Sequence, residues 1–487
     1  MVFSSLTFLF CFLPVVLALY FLRRSLRWRN GVLLVASLFF YAWGEPLWIL
    51  AMVGSALVNW FCAGMIASSK SESVRKTWLV IGVAAAGAML FICKYSTFFI
   101  NSFLSLFGAD NLLKGFALPI GISFYTFQII TYTVDVYREE TKPQKSFPRL
   151  LLYVSCFPQL IAGPIVRYSD VAQQIGSRET TPDDFAQGMQ RFAVGLAKKV
   201  IFANICGSIM TELPLPGTGN AFSVVGAWYA AFVYAMQIYF DFSGYSDMAI
   251  GLGRILGFTY KENFEYPFIS LSAGDFWRRW HISLGSWFRE YLMYPLMRSR
   301  RIRALSTKKS KKHGKMYYRN LATILVTMIV WTCTGLWHGA SWNFILWGVY
   351  FGLMMVLEKF ILVKFLDRLP KIIRWVINMI VALFSFVIFY YTDMGQVGAH
   401  MGAMLGLGGA GFMDEISLRV IRTYSVFPLI AFIASMPLAP MFNRWAERTL
   451  KPKTVEVARV AFLSACFVLS VLFLVGQSFN AFIYFNF

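Results

Sequence analysis

Negative charge is what this chain has least of. Its 487 residues include 24 Asp and Glu against 45 Lys and Arg, and charged residues of both signs make up only 14% of the total. Soluble domains carry about 25%, so no water-facing surface of ordinary extent can be built from this composition. Between Tyr291 and Leu357 there is no Asp or Glu at all. The seven cysteines (11, 62, 93, 156, 206, 333 and 466) are scattered, mostly in apolar runs. They form no CxxC pair, no disulfide framework and no zinc cluster with histidine. The GxSxG elbow, the HExxH zinc site and the P-loop are missing too, which removes the commonest hydrolase, metalloprotease and nucleotide signatures. What remains is compatible with cofactor-free group transfer.

What the chain does have is apolar length. It is 58% hydrophobic, with a mean hydropathy of +0.59, the signature of an all-α polytopic membrane protein. A membrane helix needs about 20 mostly apolar residues. Runs of that kind fall near 3–22, 31–44, 47–67, 77–93, 116–134, 185–210, 221–250, 375–392, 424–440 and 456–478. The formal net charge of +21 invites a nucleic-acid partner, but the basic residues lie in short loops between these runs. That is the pattern by which Lys and Arg hold loops on the cytoplasmic side, and it excludes a nucleic-acid partner. Arg23–Arg29, Lys70–Lys76, Arg138–Arg149, Arg254–Lys261, Arg298–Arg319, Lys359–Arg374 and Arg444–Lys453 are then inside. Both termini are expected outside. The arginines follow the first apolar run rather than precede it, so that run reads as an uncleaved helix rather than a signal peptide. No internal repeat of the kind that marks many transporters is evident.

Two regions resist a simple span. Leu150–Val166 is apolar but interrupted by Pro158, Gly163 and Pro164; Asn320–Leu357 carries Gly335, Gly339 and Gly348. Each reads as a re-entrant segment or a helical hairpin, and irregular backbone at such depth is tolerated only beside protein or a water-filled cavity. The block Arg298–Arg319 holds ten Lys or Arg residues plus His313. It reads as a solvated loop near anionic headgroups or, more sharply, as a dock for an anionic donor.

Histidine carries the chemical argument. His338 stands in Trp337-His338-Gly339 inside an apolar run, where a titratable ring is costly and needs a reason. It is either a hydrogen-bonded core histidine or a base that takes a proton from an incoming hydroxyl. His281 ends the segment Asp275–His281, DFWRRWH, within an amphipathic stretch from Gly274 to Pro295 that reads as one helix with Asp275 as its cap. The bland alternative is an interfacial helix with an amphipathic histidine. Asp241–Asp247, DFSGYSD, ends an apolar helix. Its small residues suit helix packing, while Gln237, Asp241 and Tyr245 are candidates for lining a cavity. Trp337, Asn343, Asp275, Arg278, Arg279 and Trp280 complete the candidate donor-binding and tunnel-lining set around the two histidines.

These motifs together resemble the membrane-bound O-acyltransferases, in the bacterial branch that acts on polysaccharides by alginate or peptidoglycan O-acetylation and teichoic acid D-alanylation. The matching stretches run in order along the chain: Met1–Ser5 (MVFSS), Leu118–Phe127 (LPIGISFYTF), Phe157–Ile165 (FPQLIAGPI), Tyr239–Gly251 (YFDFSGYSDMAIG), Glu262–Phe264 (ENF), Asp275–Leu284 (DFWRRWHISL), Gly335–Ala340 (GLWHGA) and Phe482–Phe485 (FIYF). Where relatives often carry a Gly-Gly-Asn-Arg-like turn, this chain reads Leu296–Arg301, LMRSRR.

The resemblance implies a single domain over 1–487, with N-terminal helices over 1–135, a catalytic core over 150–365 and C-terminal helices over 372–487. It implies about 10–12 membrane helices, with re-entrant and interfacial ones, around a central tunnel. His338 matches the family's catalytic candidate and His281 its cytoplasmic partner. The donor would be a thioester, acetyl-CoA or an acyl carrier protein, with no tightly bound cofactor and no metal. The setting would be a bacterial cytoplasmic membrane and its lipid, with an extracytoplasmic SGNH-like acyltransferase or acceptor protein as partner. The reading is an O-acetyltransferase serving an extracytoplasmic polysaccharide such as peptidoglycan, alginate or cellulose. D-alanyl transfer to teichoic acid, a lipid-linked sugar transporter or flippase, and a non-catalytic scaffold are the alternatives.

Overall fold

The computed structural model describes residues 1–108, 118–219, 222–308 and 315–476. Part of the basic block (309–314, with His313) and the FIYF stretch lie outside the described residues. Every regular element among the described residues is helical, as the polytopic reading requires, since a backbone in lipid must satisfy its hydrogen bonds within its own segment.

Among the described residues, seven helices are long and apolar enough to cross a membrane: Trp48–Ser68, Glu72–Ser105, Pro182–Glu212, Met316–His338, Trp342–Leu366, Lys371–Tyr390 and Pro452–Gly476. An eighth span forms if Glu415–Tyr424 and Val426–Ala434, bent by 58°, count as one. Other expected spans exist as helices but fall short of that test. Phe8–Leu22 is shorter, Leu26–Ala42 opens with three positive or amide side chains in its first turns, and Ile122–Tyr137 starts later than the run from residue 116 suggested. The run 424–440 is not one helix but is interrupted near Ser425 and again near Pro437. Of the two ambiguous regions, Asn320–Leu357 is a helical hairpin, Lys315–His338 followed by Trp342–Leu357. Leu150–Val166 is a short helix, Phe147–Ser155, then a four-residue turn and an extended stretch, buried almost throughout.

The chain divides into two compact units. The first comprises, of the described residues, those within 1–200, 242–262 and 463–476. Its core is aromatic: Phe12 meets Phe40 at 5.6 Å and Phe157 at 5.5 Å between ring centroids. Small residues let two of its helices touch. A Cβ added at Gly195 would stand 2.6 Å from the Gly244 carbonyl oxygen and 2.7 Å from the Met248 amide nitrogen. Beside this crossing, Asp247 accepts from Lys198 Nζ at 2.7 Å and from Arg191 Nε at 2.8 Å. Ser243, Gly244 and Ser246 thus lie where helices pack, as small residues do in membrane interfaces.

The second unit comprises Ile201–Asp241 and Asn263–Phe462, and it holds both candidate histidines. Its hairpin also depends on glycine: Gly335 and Gly348 face one another so closely that a Cβ on Gly335 would lie 3.0 Å from Gly348 Cα.

The Gly195 crossing has no slack, because what a side chain would strike is backbone. Gly195→Val is expected to destabilise the protein by about 1–3 kcal/mol through overpacking, read as a lower thermal unfolding midpoint in detergent. An unchanged midpoint would mean the crossing is looser than its geometry.

Candidate active site

The amphipathic stretch from Gly274 to Pro295 is not one helix. It is a helix Ala273–Arg279, a break at Trp280 and His281, and a second helix beginning at Ile282. His281 sits at the break with φ 45° and ψ 53°, a left-handed conformation uncommon outside glycine. The cause is Asn263, a residue distant in sequence. Its main-chain oxygen accepts from the Ile282 amide at 3.0 Å. Its Oδ1 accepts from the Ser283 amide at 3.2 Å and the Ser283 hydroxyl at 2.8 Å, and faces His281 Nδ1 at 3.1 Å. The first amides of the second helix are satisfied by Asn263 instead of a preceding turn, so the helix must restart. Sequence periodicity cannot register such a tertiary acceptor.

The cap of the first helix also differs from expectation. Ser272 Oγ accepts from the Asp275 amide at 3.0 Å, which makes Ser272 the cap. Asp275 is engaged with its own helix: Arg279 Nε lies at 3.2 Å and Arg278 Nη2 at 3.3 Å from its Oδ1. These three candidate donor-site residues therefore form a local charged cluster, with Arg278 projecting outward.

Two neighbouring helices hold the approach to His281. Glu358 Oε2 accepts from the Ala273 amide at 2.7 Å and faces the Gly274 amide at 3.4 Å. Trp375 Nε1 donates to the Phe268 carbonyl at 2.7 Å, and Asn378 Nδ2 donates to the Ser270 hydroxyl oxygen at 2.8 Å. Trp280 is buried among Phe264, Phe276 and Phe386, at centroid separations of 5.1, 5.5 and 5.3 Å.

His338 is the last residue of its helix, Lys315–His338. Its ring meets Trp347 at 4.9 Å, Trp337 at 5.0 Å and Phe389 at 5.2 Å, each close to perpendicular. The Trp337 ring also lies 5.9 Å from His281. The structure thus brings the two histidines, far apart in sequence, to a single indole. His281 is completely buried. Burial, with His338 nearby as a second contributor, pushes the His281 pKa well below the usual imidazole value. A ring in that state is neutral near pH 7.

The other candidates occupy different places. Asn343 is fully buried and donates through Nδ2 to the Ile388 carbonyl at 3.3 Å. Among the described residues, its Oδ1 and the Gln237 Oε1 are buried acceptors with no hydrogen-bond partner, so each can receive a substrate N–H or O–H. Asp241 is buried in the second unit. Tyr245 belongs to the first unit, where it stacks on Phe3 at 4.5 Å. Among the described residues no group of three His, Cys, Asp or Glu is placed to hold a metal. Sequence reasoning missed Asn263 as a site residue, together with Trp347 and Phe389. The one available signal was that Asn263 is a polar residue inside a quoted motif; nothing local ties it to His281.

The chain matches the family model described as membrane-bound O-acyltransferase over residues 6–394. Its relatives include a probable alginate O-acetylase of Pseudomonas putida, 36% identical with both chains covered in full. A peptidoglycan O-acetyltransferase of Helicobacter pylori is 30% identical over all of this chain and 98% of the relative. A teichoic acid D-alanyltransferase of Bacillus subtilis is 30% identical over 58% of this chain and 70% of the relative.

Glu358 supplies the acceptor for the first turn of the helix that leads to His281. Glu358→Ala is expected to cost about 1 kcal/mol of stability, in the range of a lost helix cap, and to speed amide exchange across residues 271–280. Glu358→Gln, which keeps a carbonyl oxygen, is expected to do less. Exchange mass spectrometry that showed no change in that peptide with Glu358→Ala would remove Glu358 from the scaffold of the site.

Proposed function

Because this chain belongs to the membrane-bound O-acyltransferase family, we propose that it moves an acetyl group from a cytoplasmic thioester to hydroxyls of an extracytoplasmic polysaccharide. It is an acyltransferase by family, and its helices make it a multi-pass membrane protein. The observation that carries the reading to a mechanism is the pair of buried histidines on one indole. An O-acyl transfer needs a base for the hydroxyl proton and a group at the thioester, and neutral imidazole serves both tasks near pH 7.

In this reading His338 is the general base for the acceptor hydroxyl, and His281 attends the thioester. The aromatic rings around His338 exclude water, which protects the thioester from hydrolysis. Asn343 Oδ1 and Gln237 Oε1 are available to orient a hydroxyl or amide of a substrate. Transfer is direct, since no serine or cysteine shows an activating base in its motif. Acetyl-CoA or an acylated carrier protein is the donor. An extracytoplasmic SGNH-like transferase completes delivery to the polymer. The membrane is the bacterial cytoplasmic membrane.

Acetyl is preferred over D-alanyl because the relatives that align along the whole chain are O-acetylating by name, whereas the D-alanyltransferase match covers 58% of it.

The test is thioester turnover by purified protein in nanodiscs, with radiolabelled acetyl-CoA and with an acylated carrier protein. His338→Ala is expected to lower transfer by about 10²–10⁴-fold, the usual contribution of a positioned general base, with the thermal midpoint retained. Full activity in a folded His338→Ala protein would end the general-base role. Release of no label from either donor by the wild type, with candidate extracytoplasmic partners present, would end the acyltransfer reading of this site.

A further inference from the structure

Leu438–Thr449 is a helix of 12 residues in the second unit, about 18 Å long at 1.5 Å per residue. It carries Arg444, Glu447 and Arg448. Such a helix is too short and too charged to cross a membrane. It is nonetheless two-sided. Leu438, Met441, Phe442 and Trp445 recur at the i, i+3, i+4, i+7 spacing of one helix face, while Asn443, Arg444, Glu447 and Arg448 occupy the other. The apolar face is uncovered: Phe442 is 62% exposed and Trp445 53%, whereas Ala446 at its edge is buried.

The chain that follows fixes the level of this helix. The residue before a proline is driven from helical angles, so Lys451-Pro452 separates it from the next helix, Pro452–Gly476, which the proline can begin. The opening turns of that next helix carry Lys453, Glu456 and Arg459, and Val460–Gly476 carries no charge at all. The hydrocarbon layer therefore begins close to Val460. Glu447 Oε1 meets Arg459 Nη2 at 2.9 Å, which holds the amphipathic helix at that boundary. Glu447 is also the one carboxylate between residues 438 and 453, and Arg459 takes it. Among the described residues, Arg444, Arg448, Lys451 and Lys453 meet no carboxylate. Four positive charges thus stand at the membrane boundary, in a segment whose basic character assigns it to the cytoplasmic side.

We propose that Leu438–Thr449 lies in the cytoplasmic face of the membrane and binds anionic phospholipid, with its apolar face among the acyl chains and its cations on the headgroup phosphates. An aromatic apolar face opposite a basic one is the composition of a helix that lies in the interface, and cations at that level attract anionic lipid. The two faces together select the occupant. A second copy of the helix would bring the same four cations against one another. A soluble anion would engage the cations and leave the apolar face in water. A phospholipid with an anionic headgroup satisfies both faces at once. This role is independent of the chemistry at His338 and His281.

Full-length protein in nanodiscs tests the placement and the lipid separately. For placement, nitroxide labels are attached at Phe442→Cys or at Asn443→Cys, in protein whose native cysteines are replaced by alanine. The label at 442 is expected to be relaxed by lipid-soluble oxygen and shielded from a water-soluble nickel chelate, with the reverse at 443. Strong relaxation by nickel at both positions would overturn the membrane placement. Shielding of 442 from both reagents would assign the face to protein, a second copy included, and overturn it too.

For the lipid, wild-type protein is photolabelled with phosphatidylglycerol or phosphatidylcholine carrying the same photoreactive group, and the label is mapped by peptide mass spectrometry. Each basic residue near the surface is worth about fivefold in binding, so phosphatidylglycerol is expected to label 441–453 at least fivefold more than phosphatidylcholine. Arg444→Gln, Arg448→Gln, Lys451→Gln and Lys453→Gln together are expected to bring the two lipids level there, with labelling elsewhere and the thermal midpoint retained. Equal labelling of the wild-type segment by both lipids would overturn the headgroup assignment. Loss of the phosphatidylglycerol label on adding acetyl-CoA or an acidic carrier protein would give the cations to a soluble anion, and would overturn it as well.

Discussion

The clamp between Asn263 and the turn at His281 is the constraint on which the site depends. A non-glycine residue in the left-handed region costs on the order of 1–3 kcal/mol unless its surroundings over-determine it. Here they do. One asparagine receives two successive amides, a hydroxyl and an imidazole, all in a fully buried setting where an unmet polar group is expensive. Releasing any of them would leave the others short of partners, so the turn, the helix restart and the histidine orientation are set together. The bonds from Glu358, Trp375 and Asn378 to the segment 268–274 fix the entry to that turn. The chain is then constrained on both sides of His281.

This explains which parts of the architecture were legible in the sequence. Apolar length and loop charge exposed most helices because the membrane imposes those requirements one segment at a time. Trp48–Ser68 and Lys371–Tyr390 were visible for that reason. Departures occur where a distant group decides. The interruption near Ser425 bends an apolar run by 58°, and the break at His281 interrupts a clean amphipathic period. Periodicity reports which face is apolar; it carries no information about an acceptor waiting elsewhere in the fold. In the sequence, Asn320–Leu357 fits a re-entrant segment and a hairpin equally, because its glycines suit both. The close approach of Gly335 to Gly348 is a pairing, and pairing is a tertiary fact.

The candidate site shows the same division. The two histidines were legible because an ionisable ring in an apolar run is anomalous by itself. That both rings meet Trp337 was not, since nothing in the spacing of 281 and 338 places them together. Asp275, Arg278 and Arg279 attracted notice as charges near a histidine, yet they are engaged with one another on a single helix turn. Tyr245 drew attention as a polar aromatic near a carboxylate, and it is packed on Phe3. In each case residue type alone does not tell whether a polar group serves a substrate or its own neighbourhood.

Burial alone does not separate the histidines either. His281, His338 and His400 are all buried, so burial is common to the catalytic candidates and to a histidine engaged within the protein. The distinction lies in the chemistry of the groups that anchor each ring. His400 has Tyr391 on one nitrogen and a carbonyl on the other, so taking a proton there would break the bond from Tyr391. His281 is anchored through Nδ1 by a neutral amide, which orients the ring without stabilising a charge on it. A carboxylate in that place would trap the imidazolium. The segment 291–357, which carries His338, likewise contributes no carboxylate of its own to the site. Scarcity of negative charge, the first property read from the chain, thus recurs at the site: the segment that carries His338 has no carboxylate, and the group that anchors His281 is a neutral amide.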